Sequence, residues 1–498
     1  MAEYHVENFG CRASRADGEA IAANLRHNGL APATAPDSAH VVIVNTCSVT
    51  AEADRQARAW MRRVRRQNPA ARIVVTGCYA QRAPEELAAL PEVDAVVGNS
   101  HKSRVAEVAL DFAASSSGPR SSFVPLSALA PVLHDDSFAH SELAALPFAP
   151  DAQQTRPNLK VQDGCANRCS FCIIPTTRGP SRSIPLATCL DNVRRFVDQD
   201  GRELVLSGIN LGRWGRDLQP TQRFEDLVAA ILHETALPRL RLSSIEPMDW
   251  SPDLLSLYRE YATEAPDLSA VRSPLSASFH PRLARHTHLP LQSGSDTILR
   301  RMHRRYRPWH YAERLAAIRA LLPDAAIGAD VMIGFPGETD ALFQESYEFI
   351  AAQPFTYLHL FPFSARPGTP AWELHRQQPV APRAVQERMA ALRSLMAEKS
   401  RAFRQRFVGR TLSAVTMDTA PDGATSAMSD NFLRLSLMDA SGEPIPANRL
   451  VAAQITGLTP DGLAGTVRNQ ASAAAMGIHP PPERTIASMA PASIGRAK

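Results

Sequence analysis

Gly164-Cys165-Ala166-Asn167-Arg168-Cys169-Ser170-Phe171-Cys172 sets three thiols at C-x₃-C-x₂-C spacing, directly after a strand-like stretch, Leu159-Lys160-Val161. Three thiolates on one short loop can face a common centre. An iron–sulfur cube normally takes four cysteines, so three would leave one iron open to a small molecule. A zinc knuckle is the competing reading, but structural zinc sites use four ligands, with a distant second pair. No C-x₂-C or H-x₃-H follows at a suitable distance. A ligand loop that follows a strand belongs at the carboxyl rim of a parallel α/β sheet or barrel.

Outward from this loop the chain alternates strand-like and helix-like segments as far as about residue 370. Strand candidates are Leu204-Val205-Leu206, Arg239-Leu240-Arg241-Leu242, Thr287-His288-Leu289, residues 327–333 and Tyr357-Leu358-His359-Leu360. Five or six βα units in this length suit a partial (β/α)₆ barrel over residues 156–390. Residues 261–285 interrupt it with Pro and Ser and read as an insertion. Upstream, Val41-Val42-Ile43-Val44, the helical stretch 55–66 and Arg72-Ile73-Val74-Val75 give a βαβ rhythm, so residues 1–114 are expected to be a Rossmann-like parallel α/β domain. Residues 115–155 lose all period and read as a linker. Residues 382–404 read as a charged amphipathic helix. Residues 403–467 carry short alternating runs with Gly and Asp turns, an all-β pattern, and 468–498 read as a flexible tail.

Three further cysteines stand apart in the first domain, each ending or following a short apolar strand: Phe9-Gly10-Cys11, Val44-Asn45-Thr46-Cys47 and Val75-Thr76-Gly77-Cys78. Singly, each reads as a small buried hydrophobe. Strand carboxyl ends converge on one rim of a parallel sheet, however, so the three could meet and hold a second cluster. Cys189 fits neither set and reads as structural.

At 498 residues the chain needs two to four domains. Its 44% hydrophobic and 21% charged residues are globular, and no apolar run reaches the length of a membrane span. The opening Met1-Ala2-Glu3-Tyr4-His5 lacks the basic-then-apolar order of a secretory signal, which predicts a cytoplasmic protein with reduced thiols. The net charge of +4 is mild. Two local basic runs, Arg55, Arg58, Arg62, Arg63, Arg65 and Arg66, then Arg300, Arg301, His303, Arg304 and Arg305, favour a polyanion such as RNA.

The cysteine triplet on its loop resembles the radical S-adenosylmethionine superfamily, in which the open iron chelates the methionine group and cleavage yields a 5′-deoxyadenosyl radical. Asn45-Thr46-Cys47-Ser48-Val49-Thr50-Ala51-Glu52-Ala53-Asp54-Arg55 and Thr76-Gly77-Cys78-Tyr79-Ala80-Gln81, ahead of that triplet, are similar to the methylthiotransferases. The likeness continues through Arg178-Gly179-Pro180-Ser181-Arg182-Ser183, Leu289-Pro290-Leu291-Gln292-Ser293-Gly294-Ser295-Asp296, Gly334-Phe335-Pro336-Gly337 and Phe361-Pro362-Phe363-Ser364-Ala365-Arg366-Pro367-Gly368-Thr369-Pro370. It implies two [4Fe–4S] clusters, on Cys165, Cys169 and Cys172 and on Cys11, Cys47 and Cys78, and a terminal β-barrel of the TRAM kind that grips RNA. It also implies S-adenosylmethionine contacts at Ser207, Gly208, Asn210, Glu246 and Gln292. The partners implied are a tRNA substrate, a reducing donor such as a flavodoxin or ferredoxin, and a sulfur donor. The motif around Cys47 is similar to the branch that methylthiolates C2 of N6-threonylcarbamoyladenosine next to the anticodon. The other branches act on N6-isopentenyladenosine in tRNA or on an aspartate of a ribosomal protein. Cys11-Arg12-Ala13-Ser14 departs from the family's usual Cys-Lys-Val-Asn. The reading outside enzymes is an iron–sulfur RNA-binding or redox-sensing protein.

Overall fold

A computed structural model describes residues 2–114, 130–138, 155–263, 280–420, 423–439 and 444–467. The tail 468–498 and most of the 261–285 insertion lie outside them. The β-branched runs of the first hundred residues become a parallel sheet of β1 (Glu3–Asn8), β2 (Ala31–Pro32), β3 (Val41–Thr46), β4 (Arg72–Gly77), β5 (Ala95–Gly98) and β6 (Val132–Leu133), in the order β2-β1-β3-β4-β5-β6. Every residue of β3 is buried, as a central parallel strand covered on both faces requires. Strand β6 comes from the segment whose composition reads as linker. It pairs with β5 through Val132 and Leu133, and Phe138 just beyond it is buried. Two apolar residues were too short a run to register against the surrounding Ser and Pro.

Six parallel strands then form the central body: β7 (Asn158–Asp163), β9 (Glu203–Gly208), β10 (Arg239–Leu242), β11 (His286–His288), β12 (Ala326–Ile333) and β13 (Tyr357–Pro362), while the short β8 (Arg182–Ser183) lies antiparallel on β7. Regular pairing divides them into β10-β9-β7-β8 and β11-β12-β13. Single bridges, Leu240 to Leu283 and Ser244 to His288, close the gap between β10 and β11. Helices alternate with the strands, and Leu159, Leu206, Leu240, Ile327 and Val331 share one core with Leu227, Ile231, Leu254 and Leu315 of those helices. This is the expected open (β/α)₆ barrel.

The helix Pro382–Gln405 leads to a closed barrel of β14 (Thr411–Thr419), β15 (Thr425–Ser429), β16 (Arg434–Asp439), β17 (Leu450–Leu458) and β18 (Leu463–Val467), in the order β14-β15-β16-β18-β17. Along β16 burial alternates strictly, with Leu435 and Leu437 inside and Arg434 and Ser436 outside. Phe403 and Phe407 plug this core from the end of the helix and the turn after it.

Candidate active site

Strands β1, β3 and β4 are neighbours, and their carboxyl ends carry the first three cysteines. Cys47 follows β3 directly, Cys78 follows β4 directly, and Cys11 caps the helix Arg12–His27 after β1. The approach is close enough that a Cβ on Gly10 would lie 2.6 Å from the Cys47 Cβ and 2.9 Å from its Sγ, and Gly10 has φ +113°. Only glycine meets both demands. Asn45 holds the rim together by donating to Asn8 Oδ1 (3.0 Å) and to the Ser14 carbonyl (2.5 Å). Asn99 donates to Cys78 Sγ at 3.5 Å.

The second set sits on the loop after β7. Gly164 turns it with φ +70°, and Cys165 N donates to the Gly179 carbonyl at 3.1 Å. Ser170 pins its middle, giving N–H to Met302 O (3.1 Å) and Oγ–H to Arg301 O (2.7 Å). Arg304 donates to Cys169 Sγ at 3.3 Å and binds Glu246, so one buried cation joins a thiol to a carboxylate of the neighbouring rim. Asn210 donates to Cys165 Sγ at 3.5 Å, and its backbone N–H binds Gln162 Oε1 at 2.7 Å.

A cavity of about 540 Å³ lies between the two rims, lined by Cys11, Cys165, Cys169 and Cys172 and by Ser207, Gly208, Asn210, Glu246 and Gln292. Each residue singled out from sequence for cofactor contact therefore faces one space. Cys47 and Cys78 are buried behind Cys11, and Cys189 is buried in the barrel core. All seven cysteines are free thiols.

Two observations test whether these residues fit the implied cofactors. Burial pushes Cys47 up to about 12, aided by the neighbouring Cys78, and burial likewise pushes Cys172 up to about 12. Such thiols ionise readily only when a cationic centre replaces the proton, which is what iron does. Ser207 Oγ, Asn210 Oδ1 and Gln292 Oε1 are buried with no hydrogen-bond partner among the described residues. Unsatisfied polar atoms around a cavity are the mark of a missing polar ligand, and Gln292 is held at φ +64°, a conformation that costs energy outside functional sites. The donor sets fit.

Several residues of the site escaped the sequence reading. Arg304 belongs to the second basic run, the kind that favours a polyanion, but it is buried. The other run is largely neutralised: Arg55 pairs with Glu52, Arg58 with Glu86, Arg62 with Glu92 and Arg65 with Asp94. Arg178 joins the two halves, donating to Asp163 at 2.9 Å, Asp17 at 3.0 Å and Ser14 at 3.2 Å. Asp54 receives Arg82 at 3.0 Å and, from the far side of the barrel, Arg366 at 2.8 Å. Their partners are remote in sequence, so no local spacing could disclose them.

The architecture defines a radical S-adenosylmethionine barrel preceded by a parallel α/β domain. It superposes on the radical S-adenosylmethionine methyltransferase TsrM of Kitasatospora setae with a TM-score of 0.52 at 14% identity, covering 76% of this chain and 78% of that one. A family model described as "Uncharacterized protein family UPF0004" matches residues 3–98, the body that holds Cys11, Cys47 and Cys78. The chain is 30% identical to the threonylcarbamoyladenosine tRNA methylthiotransferase MtaB of Bacillus subtilis, over 87% of this chain and 90% of that protein. It is 32% identical to a tRNA-2-methylthio-N(6)-dimethylallyladenosine synthase of Novosphingobium aromaticivorans, over 82% of this chain and 85% of that protein. The chain belongs to the radical S-adenosylmethionine methylthiotransferase family, and is an enzyme of that family. Among the described residues no helix is long and apolar enough to cross a membrane.

Proposed function

We propose that this enzyme methylthiolates C2 of N6-threonylcarbamoyladenosine next to the anticodon of tRNA, using two [4Fe–4S] clusters and S-adenosylmethionine. The observation that carries the reading is the single cavity onto which Cys165, Cys169 and Cys172 open from one rim and Cys11 from the other. When bound, the clusters supply reductive cleavage of S-adenosylmethionine on the first set and a place for the transferred sulfur on the second. Ser207, Gly208, Asn210, Glu246 and Gln292 would hold the methionine group, with Arg304 fixing Glu246 in place. Orientation of substrate against cofactor replaces acid–base catalysis. The motif around Cys47 supports the threonylcarbamoyl substrate over the isopentenyl one. An electron donor such as a flavodoxin or ferredoxin and a sulfur donor complete the reaction, and a cytoplasmic location suits all of these partners.

The test is anaerobic reconstitution of the full chain, followed by incubation with tRNA carrying either modified adenosine and mass spectrometry of the digested nucleosides. Methylthio product from the threonylcarbamoyl tRNA alone is expected, with about eight iron atoms per chain if two cubes are held. Product from the isopentenyl tRNA alone would overturn the substrate assignment. About four irons would overturn the second cluster.

A further inference from the structure

The buried arginines among the described residues are tied to carboxylates. Arg12 is instead exposed. It follows Cys11 and lines the same cavity, yet its guanidinium makes no hydrogen bond or ion pair among the described residues and lies only against the ring of Phe432, 6.0 Å from its centre. Arg241, whose charge is already spent on Glu203, lies over that same ring at 5.4 Å. Beside it, His288, Asp330 and His359 converge on the cavity with their polar atoms within 4.8 Å of one another. Asp330 is already engaged, with Oδ1 3.4 Å from His288 Nε2 and 3.3 Å from His359 Nδ1. Ser244 Oγ, 2.6 Å from His288 Nδ1, fixes that ring from behind. His359 stays 57% exposed at the side chain.

This wall does not suit an apolar substituent, which would strand a guanidinium, a carboxylate and two imidazoles against hydrocarbon. It suits a group that carries an anion and hydrogen-bonding atoms together. We infer that Arg12, with His359 and Asp330 beside it, is the subsite for a carboxylate-bearing N6 substituent of the substrate adenosine. The planar fork of Arg12 matches a carboxylate bidentately, and Asp330 accepts from hydroxyl or N–H groups on the same substituent. The inference rests on the proposed function and makes its substrate preference a property of named side chains. Arg12 and His359 come from opposite halves of the cavity, so the substituent is gripped only when both halves are docked.

The experiment measures binding without turnover. The reconstituted full chain, kept oxidised, is titrated by fluorescence anisotropy with anticodon stem-loops bearing threonylcarbamoyladenosine, its methyl ester, isopentenyladenosine or plain adenosine, with iron content measured in parallel. The free acid should bind roughly tenfold or more tightly than the ester, the usual worth of a charge-assisted pair. R12Q should erase that difference and R12K should keep part of it. Equal wild-type affinity for acid and ester, with both above plain adenosine, would overturn the subsite while leaving the proposed substrate standing. Preference for the isopentenyl stem-loop, or for none, would overturn both. An R12Q variant that weakens all four stem-loops alike would reassign Arg12 to the RNA backbone and also overturn the subsite.

Discussion

Arg304 and Arg12 are guanidiniums of one cavity in opposite circumstances. Arg304 is spent on the protein, holding Cys169 and Glu246. A cube bound to Cys169 gains negative charge on reduction, and the buried cation beside it favours that state. R304M should therefore lower the midpoint potential of the proposed cluster on Cys165, Cys169 and Cys172 by on the order of 50–100 mV in an EPR-monitored redox titration. An unchanged potential would mean that the contact only orients the loop. At Gly10 the issue is space rather than charge. G10A drives a methyl group into Cys47, so its iron content should fall by about half while the share held by the barrel loop survives. Mössbauer quantification of clusters per chain reads this directly.

Among elements, the helix Arg12–His27 and strand β7 are joined by a buried ionic knot. Asp17 meets Lys102 at 2.5 Å, Arg178 at 3.0 Å and Lys160, and Asp163 meets Arg178 and Lys160 at 2.9 Å each. Burial alone would raise both carboxyls, but the surrounding cations outweigh it and hold both well below the usual carboxylate range. Carboxyls depressed on folding stabilise fully above their unfolded value of about 4, and that contribution is lost as pH falls through the folded values. The urea midpoint of the wild type should therefore fall progressively below about pH 4. D17N leaves three cations facing a neutral amide, and its unfolding free energy at pH 7 should drop by about 3–5 kcal/mol. The elements themselves were legible: βα alternation marked the strand candidates of the barrel to within a residue or two, and Cys47 and Cys78 announced the strand ends they follow. What joins the elements was not. Arg178 and Asp17 are 161 residues apart, Arg366 and Asp54 312 apart, and pairing at such range leaves no periodic trace. The cavity was legible as a list of lining residues. Arg12 was visible only as a departure from a motif, with no hint that it would stand unpaired.

For the whole molecule, the terminal barrel is docked rather than tethered. Arg239 donates to Ser413, Arg241 donates to the carbonyls of Ser429 (2.9 Å) and Asp430 (3.1 Å), and Glu203 at 0% exposure gathers Arg156, Arg239 and Arg241 behind them. Tyr357 of the central barrel packs on Phe432 with ring centres 5.4 Å apart. A chain ending at Gly409 would uncover Phe403 and Phe407 and leave buried guanidinium donors without acceptors, each costing about 1–3 kcal/mol. Such a chain should melt several degrees lower by scanning fluorimetry and elute as aggregates on size exclusion, while keeping the six cysteines proposed to hold clusters. A monodisperse product with an unshifted melting point would show the terminal barrel to be an independent appendage.

The same docking limits how this enzyme can be recombined. A terminal barrel exchanged from a relative brings the Ser429 and Asp430 carbonyls with any matching backbone, but the hydroxyl of Ser413 and the carboxylate that holds Arg285 are side-chain features. Chimeras are portable only if Ser413 and Asp430 travel together with Arg239, Arg241 and Arg285, so the natural crossover point lies inside the barrel sequence rather than at the helix that visibly separates the two bodies.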